Sequence, residues 1–164
     1  MEAAMNFSLK ETRFSRVRGE LGNGALISGK GQLKAEISAG LQEPEDPNQS
    51  VAQVAIKISG LPQDAKNEDQ FAFQVEVVGN GLYEWPSGKR PADLKDMELT
   101  RLLCQPIYTL AVSETIQLAQ RLGFNNVKLP WDMPTKSDAP PPAKKPRTRK
   151  QAAKPVAVKR AKAK

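Results

Sequence analysis

The 164-residue chain contains no histidine. General acid–base catalysis, nucleophilic triads and most zinc sites draw on imidazole, whose ordinary pKa lies near neutrality, so those chemistries lack their usual donor. The single cysteine, Cys104, has neither a histidine to activate it nor a second cysteine at Cys-x-x-Cys spacing. It can form no disulfide framework and no cysteine metal cluster, and a buried helix thiol is the expectation. The glycine-rich stretch GNGALISGKG includes Lys30 but lacks the phosphate-loop pattern, and the acids are scattered along strand faces and loops. Enzyme activity is therefore not expected, and no cofactor or metal is called for. Neither an 18-residue apolar run nor an apolar N-terminal stretch occurs. A membrane span and a signal peptide are not expected, and the cytoplasm is the expected location.

What charge there is lies unevenly. Of 25 Lys and Arg, 11 fall between Pro134 and Lys164, where Asp138 is the single acid, so this tail carries about +10. The body, 1–133, holds 14 basic and 17 acidic residues, together with all nine aromatics and every Leu, Ile and Met. The tail offers only Ala, Val156 and Val158 among Pro and Lys, too little apolar surface to offset an ordering entropy of ~1–2 kcal/mol per residue. Two parts follow: a domain over 1–133 and a disordered Lys/Ala/Pro-rich tail over 134–164.

Within the body, period-two alternation comes first. Residues 31–39, GQLKAEISA, put Leu33, Ala35, Ile37 and Ala39 on one face and Lys34, Glu36 and Ser38 on the other. Residues 51–59, VAQVAIKIS, turn Val54, Ile56 and Ile58 inward and Lys57 outward. Residues 71–78, FAFQVEVV, set Phe71, Phe73, Val75 and Val77 opposite Gln74 and Glu76. Gly79-Asn80-Gly81 then marks either a hairpin or a kink in one long strand. One more strand lies near Met5, Phe7 and Leu9, with a polar break before Phe14 and Val17, and 18–30 reads as loop or bent strand.

From Pro91 the period changes. PADLKDMELTRLL suits a short helix with Asp93 or Asp96 near its start. A second, longer helix opens with Pro106 at its first position, where the missing N–H costs nothing, and closes at Gly123, with Pro130 beyond. Strands followed by helix predict an α+β domain with an antiparallel sheet. Ile107, Leu110, Ala111, Leu118 and Leu122 make one apolar stripe, and Val112, Ile116 and Ala119 a second. A helix apolar on two faces needs two surfaces to pack against. The sheet supplies one. A second copy of the chain is expected to supply the other, through Ile107, Leu110, Val112, Ile116 and Ala119.

Without catalytic groups, binding remains. Trp85 and Trp131 each end an element beside prolines, and either cap the core edge or line an apolar groove with Leu82 and Tyr83. Such a groove suits extended peptide better than a small polar substrate.

FAFQVEVVGNGLYEW followed by LLCQPIYTLAVSETIQLAQRLGFNNVKLPW resembles the last strand and long helix of the SecB-type export chaperones. The shared positions are Glu76-Val77, Gly81 and Leu82-Tyr83, then Cys104, Pro106 (displaced by one), Ile107, Glu114, Ile116, Gly123 and Phe124. The likeness spans 71–131, and 1–30 match only loosely. It implies a four-stranded antiparallel sheet packed by one long helix, the Gly-Asn-Gly run being a kink in a continuing strand. It also implies a homotetramer, a dimer of dimers, with helices at the subunit interface. The implied activity is ATP-independent binding of unfolded polypeptides and their transport to the SecA translocation motor, or, as in some relatives, care of an antitoxin. Several weak groove contacts across a tetramer sum to firm holding. Leu33, Ile37, Leu82, Tyr83, Trp85 and Trp131 are the candidate client-contacting residues, and Gln74 and Glu76 the candidate SecA-facing ones.

Two departures from that family matter. DMPTKSDAPPPAKK cannot form the second helix that helps roof its client groove. Its SecA-facing acidic strip is interrupted here, with Gln74 beside Glu76 and Lys34 and Lys57 also outward. The tail adds a separate possibility. Lys144, Lys145, Arg147, Arg149, Lys150, Lys159 and Arg160 suit RNA, DNA, anionic lipid or an acidic partner through counterion release, and with no aromatic there is no stacking platform for base reading. A nucleic-acid-associated oligomeric scaffold is thus the alternative function.

Overall fold

The structure, a computed structural model, describes residues 6–23, 31–66, 70–86, 88 and 90–134. Apart from Pro134, the expected disordered tail and its seven candidate polyanion contacts lie outside these residues. Four strands and one helix follow in order: β1 Ser8–Leu21, β2 Gly31–Gln42, β3 Gln49–Pro62, β4 Phe73–Glu84 and α1 Met97–Arg121. The strands form one antiparallel sheet in the order β1-β4-β3-β2, so β1 and β2 are its edges. The expected α+β class and strand count are both found. β4 runs unbroken through Gly79-Asn80-Gly81, which settles the hairpin-or-kink question in favour of one continuing strand.

Alternation sets the two faces of the sheet. Ala52, Val54, Ile56 and Ile58 of β3 and Phe73, Val75, Val77 and Tyr83 of β4 are buried under α1. Ile37 pairs with Ile56 and Ala35 with Ile58, which puts the apolar face of β2 on the same side. The glycines of β4 make the close approach of the helix possible. A Cβ on Gly81 would lie 2.4 Å from Ile107 Cδ1, and one on Gly79 3.1 Å from Ile107 Cγ2. Gly-Asn-Gly is therefore clearance for a helix rather than a turn.

The N-terminal strand resisted a period-two reading because it carries two bulges. Its pairing with β4 slips between Leu9 and Glu11 and again between Phe14 and Arg16. Each slip adds a residue and reverses the alternation. As a result Leu9, Phe14, Val17 and Leu21, irregularly spaced in the sequence, sit opposite Tyr83, Gly79, Val77 and Phe73 on one face.

On the outer face, polar side chains bond across the strands. Asn80 donates to Ser15 at 2.9 Å and accepts from Gln53 at 3.0 Å, while Gln42 donates to Gln53 at 3.3 Å. Beside that row runs a charged one. Arg16 meets Glu76 at 2.7 Å, Glu76 pairs in register with Lys57 and Lys57 with Glu36, and Lys34 meets Glu36 at 3.0 Å. The Lys34 ammonium, with Lys57 beyond, holds the Glu36 carboxyl below its ordinary range.

The expectation of two helices is corrected. α1 is one 25-residue helix, about 37 Å long, capped by Asp96, whose carboxylate accepts from the Glu98 amide at 2.9 Å. Pro106 stands inside it rather than at its first position. Its missing N–H leaves the Leu102 carbonyl without a helical donor, but both residues are on the exposed side, where water can serve that carbonyl. Gly123, at φ +95°, ends the helix as expected. Residues 124–134 then run back along it without a second helix. Tyr108 donates to the Pro130 carbonyl at 2.9 Å, and Gln105 donates to the Trp131 carbonyl at 3.0 Å and accepts from the Met133 amide at 2.9 Å. No helix among the described residues is long and apolar enough to cross a membrane.

Restoring the N–H with Pro106→Ala is expected to raise unfolding stability by about 1–2 kcal/mol, the helical gain being partly offset by a looser unfolded chain. An unchanged or lower urea midpoint would contradict this account of Pro106. Alkaline behaviour gives a second check. Burial pushes the Cys104 thiol up to about 11 and the Tyr83 phenol up to about 12, against ordinary values of 9.0 and 10.0. Unfolded chains ionise first, so stability is intact below pH 9 and falls as pH rises towards 12. Cys104→Ala should lessen that fall, and in the native protein at pH 8 Cys104 should react with a maleimide only as fast as the protein unfolds.

Candidate functional site

Among the described residues, two stretches of uncovered apolar surface are candidate sites. The first is a cavity of about 390 Å³ at one end of the sheet, walled by Gly31, Gln32 and Leu33 of β2, Gly60 and Leu61 of β3, Phe73 of β4, and Gly123 to Val127 after the helix. Gly60 is needed for its shape, because a Cβ there would come within 2.2 Å of the Phe73 ring. That ring stacks on Phe124 at 4.1 Å and 29°. Among the described wall residues none is charged, and Gln32, Asn125 and Asn126 supply the polar atoms. The cavity has the size and the uncharged, partly apolar wall that suit a large uncharged side chain.

The second is the helix-side face of β1. Leu9, Phe14, Val17 and Leu21 are 41, 38, 45 and 63% exposed. A Cβ on Gly19 of the same strand would touch Leu118 and Leu122, so α1 reaches the strand's margin without covering it. An apolar strip of this length along an edge strand suits another protein surface.

Of the six candidate client-contacting residues, two are corrected. Tyr83 and Trp85 are 1% and 3% exposed and serve the core. Tyr83 donates to the Leu103 carbonyl at 2.7 Å, Trp85 donates to Ser50 Oγ at 2.9 Å, and Phe7 lies against both rings at 5.6 and 5.2 Å. The capping alternative for Trp85 is the one realised. Leu33 walls the cavity, and Ile37 is half-buried against the core. Leu82 faces the outer side of the sheet beside Val51, and Trp131 is exposed near Gln105. The six are thus dispersed rather than gathered into one groove.

The proposed interface stripe changes too. Ile107, Val112 and Ala119 are fully buried within the subunit, Ile116 is half-buried, and Leu110 remains 46% exposed. Val112 and Ala119 of the second stripe are thus buried within the chain, and residues 130–133 return along the helix beside Gln105 and Tyr108. Gln74 donates to Ser59 Oγ at 3.0 Å, and Glu76 is tied to Arg16 and flanked by Lys57. The outer face therefore presents neutralised pairs instead of an acidic strip.

Phe73, Phe124, Leu61 and Val127 escaped the sequence reading as a site, being separated by up to 66 residues. Gly60-Leu61 and Gly123-Phe124, each a glycine before a large apolar residue at the end of an element, were the available signal.

No protein-family profile and no curated protein sequence matches the chain. Among solved structures it is similar to the SecB-like chaperone of Mycobacterium tuberculosis in complex with a ChAD peptide from the HigA1 antitoxin. The TM-score is 0.60 at 12% identity, over 76% of this chain and 89% of that one. A protein of unknown function from Streptococcus agalactiae aligns with a TM-score of 0.43 at 13% identity, over 78% of this chain and 99% of that one. The first likeness shows the fold: this chain has a SecB-like sheet and helix.

Charging the β1 strip should reveal whether it is covered in solution. If a second copy covers the strip, Val17→Glu should lower the sedimentation mass of the protein without lowering helix content. A native protein that already sediments as a monomer would show that no second copy covers it.

Proposed function

We propose that this protein is an ATP-independent chaperone that binds unfolded or precursor polypeptides. The observation that carries the reading is the uncharged aromatic cavity at the end of a SecB-like sheet, whose wall offers apolar area and amides but no acid–base group. Such a surface holds large side chains exposed by a non-native chain and has no means to transform them. Burying one aromatic or aliphatic side chain contributes about 1.5–3 kcal/mol, so a single cavity holds weakly. Repetition in an oligomer raises avidity, and the open apolar face of β1 is a surface through which we expect chains to pair, a SecB-like dimer of dimers needing a second interface besides it.

The mycobacterial neighbour, whose structure holds an antitoxin peptide, supports a polypeptide partner. Docking to SecA receives no such support, because Glu76 is already paired with Arg16. The basic tail would act as an accessory that keeps the chaperone near polyanions, such as ribosomal RNA, rather than as the seat of the activity.

The test is light scattering of reduced α-lactalbumin, which aggregates once its disulfides are removed. The full chain is expected to suppress scattering near stoichiometric ratio without ATP, and a chain ending at Pro134 to retain that suppression while losing salt-sensitive RNA binding. Suppression that vanishes with the tail, or is absent from the full chain, would overturn the chaperone reading and favour the nucleic-acid scaffold.

A further inference from the structure

Residues 127–133, VKLPWDM, return along α1 as neither strand nor helix. Val127, Leu129 and Met133 pack on the core, while Lys128, Pro130 and Asp132 are exposed. That is the period-two alternation of an extended chain, broken at Trp131, which is also exposed. Among the described residues, the main chain of this segment pairs with no other main chain. Three side-chain bonds hold it instead. Tyr108 donates to the Pro130 carbonyl, and Gln105 donates to the Trp131 carbonyl and accepts from the Met133 amide. Gln105 and Tyr108 stand at i, i+3 and so share one face of α1. All three bonds run from a helix side chain to a main-chain group. Every polypeptide carries such groups, so the fitting on the helix reads extended backbone and not the particular sequence VKLPWDM.

A segment held without a hydrogen-bonded ladder is also readily released. Val127 belongs both to this segment and to the cavity wall, so lifting the segment extends the cavity into a trough along α1. We propose that residues 127–133 are a built-in competitor: they occupy a seat on α1, at Gln105 and Tyr108, that an extended segment of a bound polypeptide takes over by displacing them. This inference rests on the polypeptide-binding reading and adds how that binding is restrained. Displacement exchanges one set of apolar and main-chain contacts for another, so an incoming segment gains only where its side chains fill the seat better. The resident segment is tethered and therefore present at high effective concentration. Apparent affinity falls by the fraction of molecules in which the seat is free. Short or weakly apolar segments are thereby refused, and a long unfolded chain that engages cavity and seat together is accepted.

The test is hydrogen–deuterium exchange of the full chain with and without reduced, carboxymethylated α-lactalbumin, a permanently unfolded probe. The amides of 131–133, of which Met133 is bonded to Gln105, should exchange several-fold faster with the probe bound, while those of 107–121 keep their protection. Met133→Ala and Leu129→Ala weaken the competitor alone and should bind the probe several-fold more tightly, helix content showing that each is folded. Gln105→Ala removes the fitting from competitor and client alike, so it should show no such gain. Exchange at 131–133 that slows or stays constant with the probe bound means that the segment remains in place as a wall or roof. That result overturns the inference and leaves the chaperone reading standing. Unchanged affinity in folded Met133→Ala, or a gain in Gln105→Ala equal to that of Met133→Ala, overturns it as well. Failure to bind the probe at all overturns both.

Discussion

The contact between Ile107 and the glycines of β4 is the constraint on which the rest of the structure depends. Ile107 is fully buried, and its side chain occupies the space that a Cβ on Gly79 or Gly81 would claim. With the helix that low on the sheet, Leu103, Ala111 and Thr115 reach the β3–β4 core, and Thr115 satisfies its hydroxyl by donating to the Ala111 carbonyl at 2.7 Å. The same closeness carries Leu118 and Leu122 to Gly19 at the margin of β1. A larger residue at position 81 would lift the helix and loosen every layer above the sheet.

A helix in this position covers only part of a four-stranded sheet, and the two flanks are resolved differently. On one side the chain itself returns, fastened by Tyr108 and Gln105 to residues 130–133. On the other the apolar face of β1 stays open. Self-coverage explains why a doubly apolar helix did not require a partner at each predicted position. Ile107, Val112 and Ala119 are spent inside the subunit, whereas Leu9, Phe14, Val17 and Leu21, on a strand, hold the exposed area.

The middle of the fold was legible because its physics is local. Unbroken alternation from Val54 to Ile58 and from Phe73 to Val77 declares which side is buried, and Gly123 announces the helix end. β1 was obscured by bulges, whose phase reversals look like noise until the partner strand is known. Pro106 misled because an exposed proline can be tolerated mid-helix when the orphaned carbonyl meets water. The cavity was not legible at all. It is made where three strand ends and a helix exit converge, and convergence is a property of the folded chain rather than of any one stretch.

The row of Ser15, Asn80, Gln53 and Gln42 on the outer face has a further consequence. Each amide bonds to a neighbour on the next strand, so the row crosses all four strands and is complete only when every strand is in its native alignment. Sliding any strand by one residue would turn these side chains towards the core and leave them stranded there. The row therefore works as a checksum on sheet assembly: a misaligned sheet is penalised on its wet side as well as its dry one.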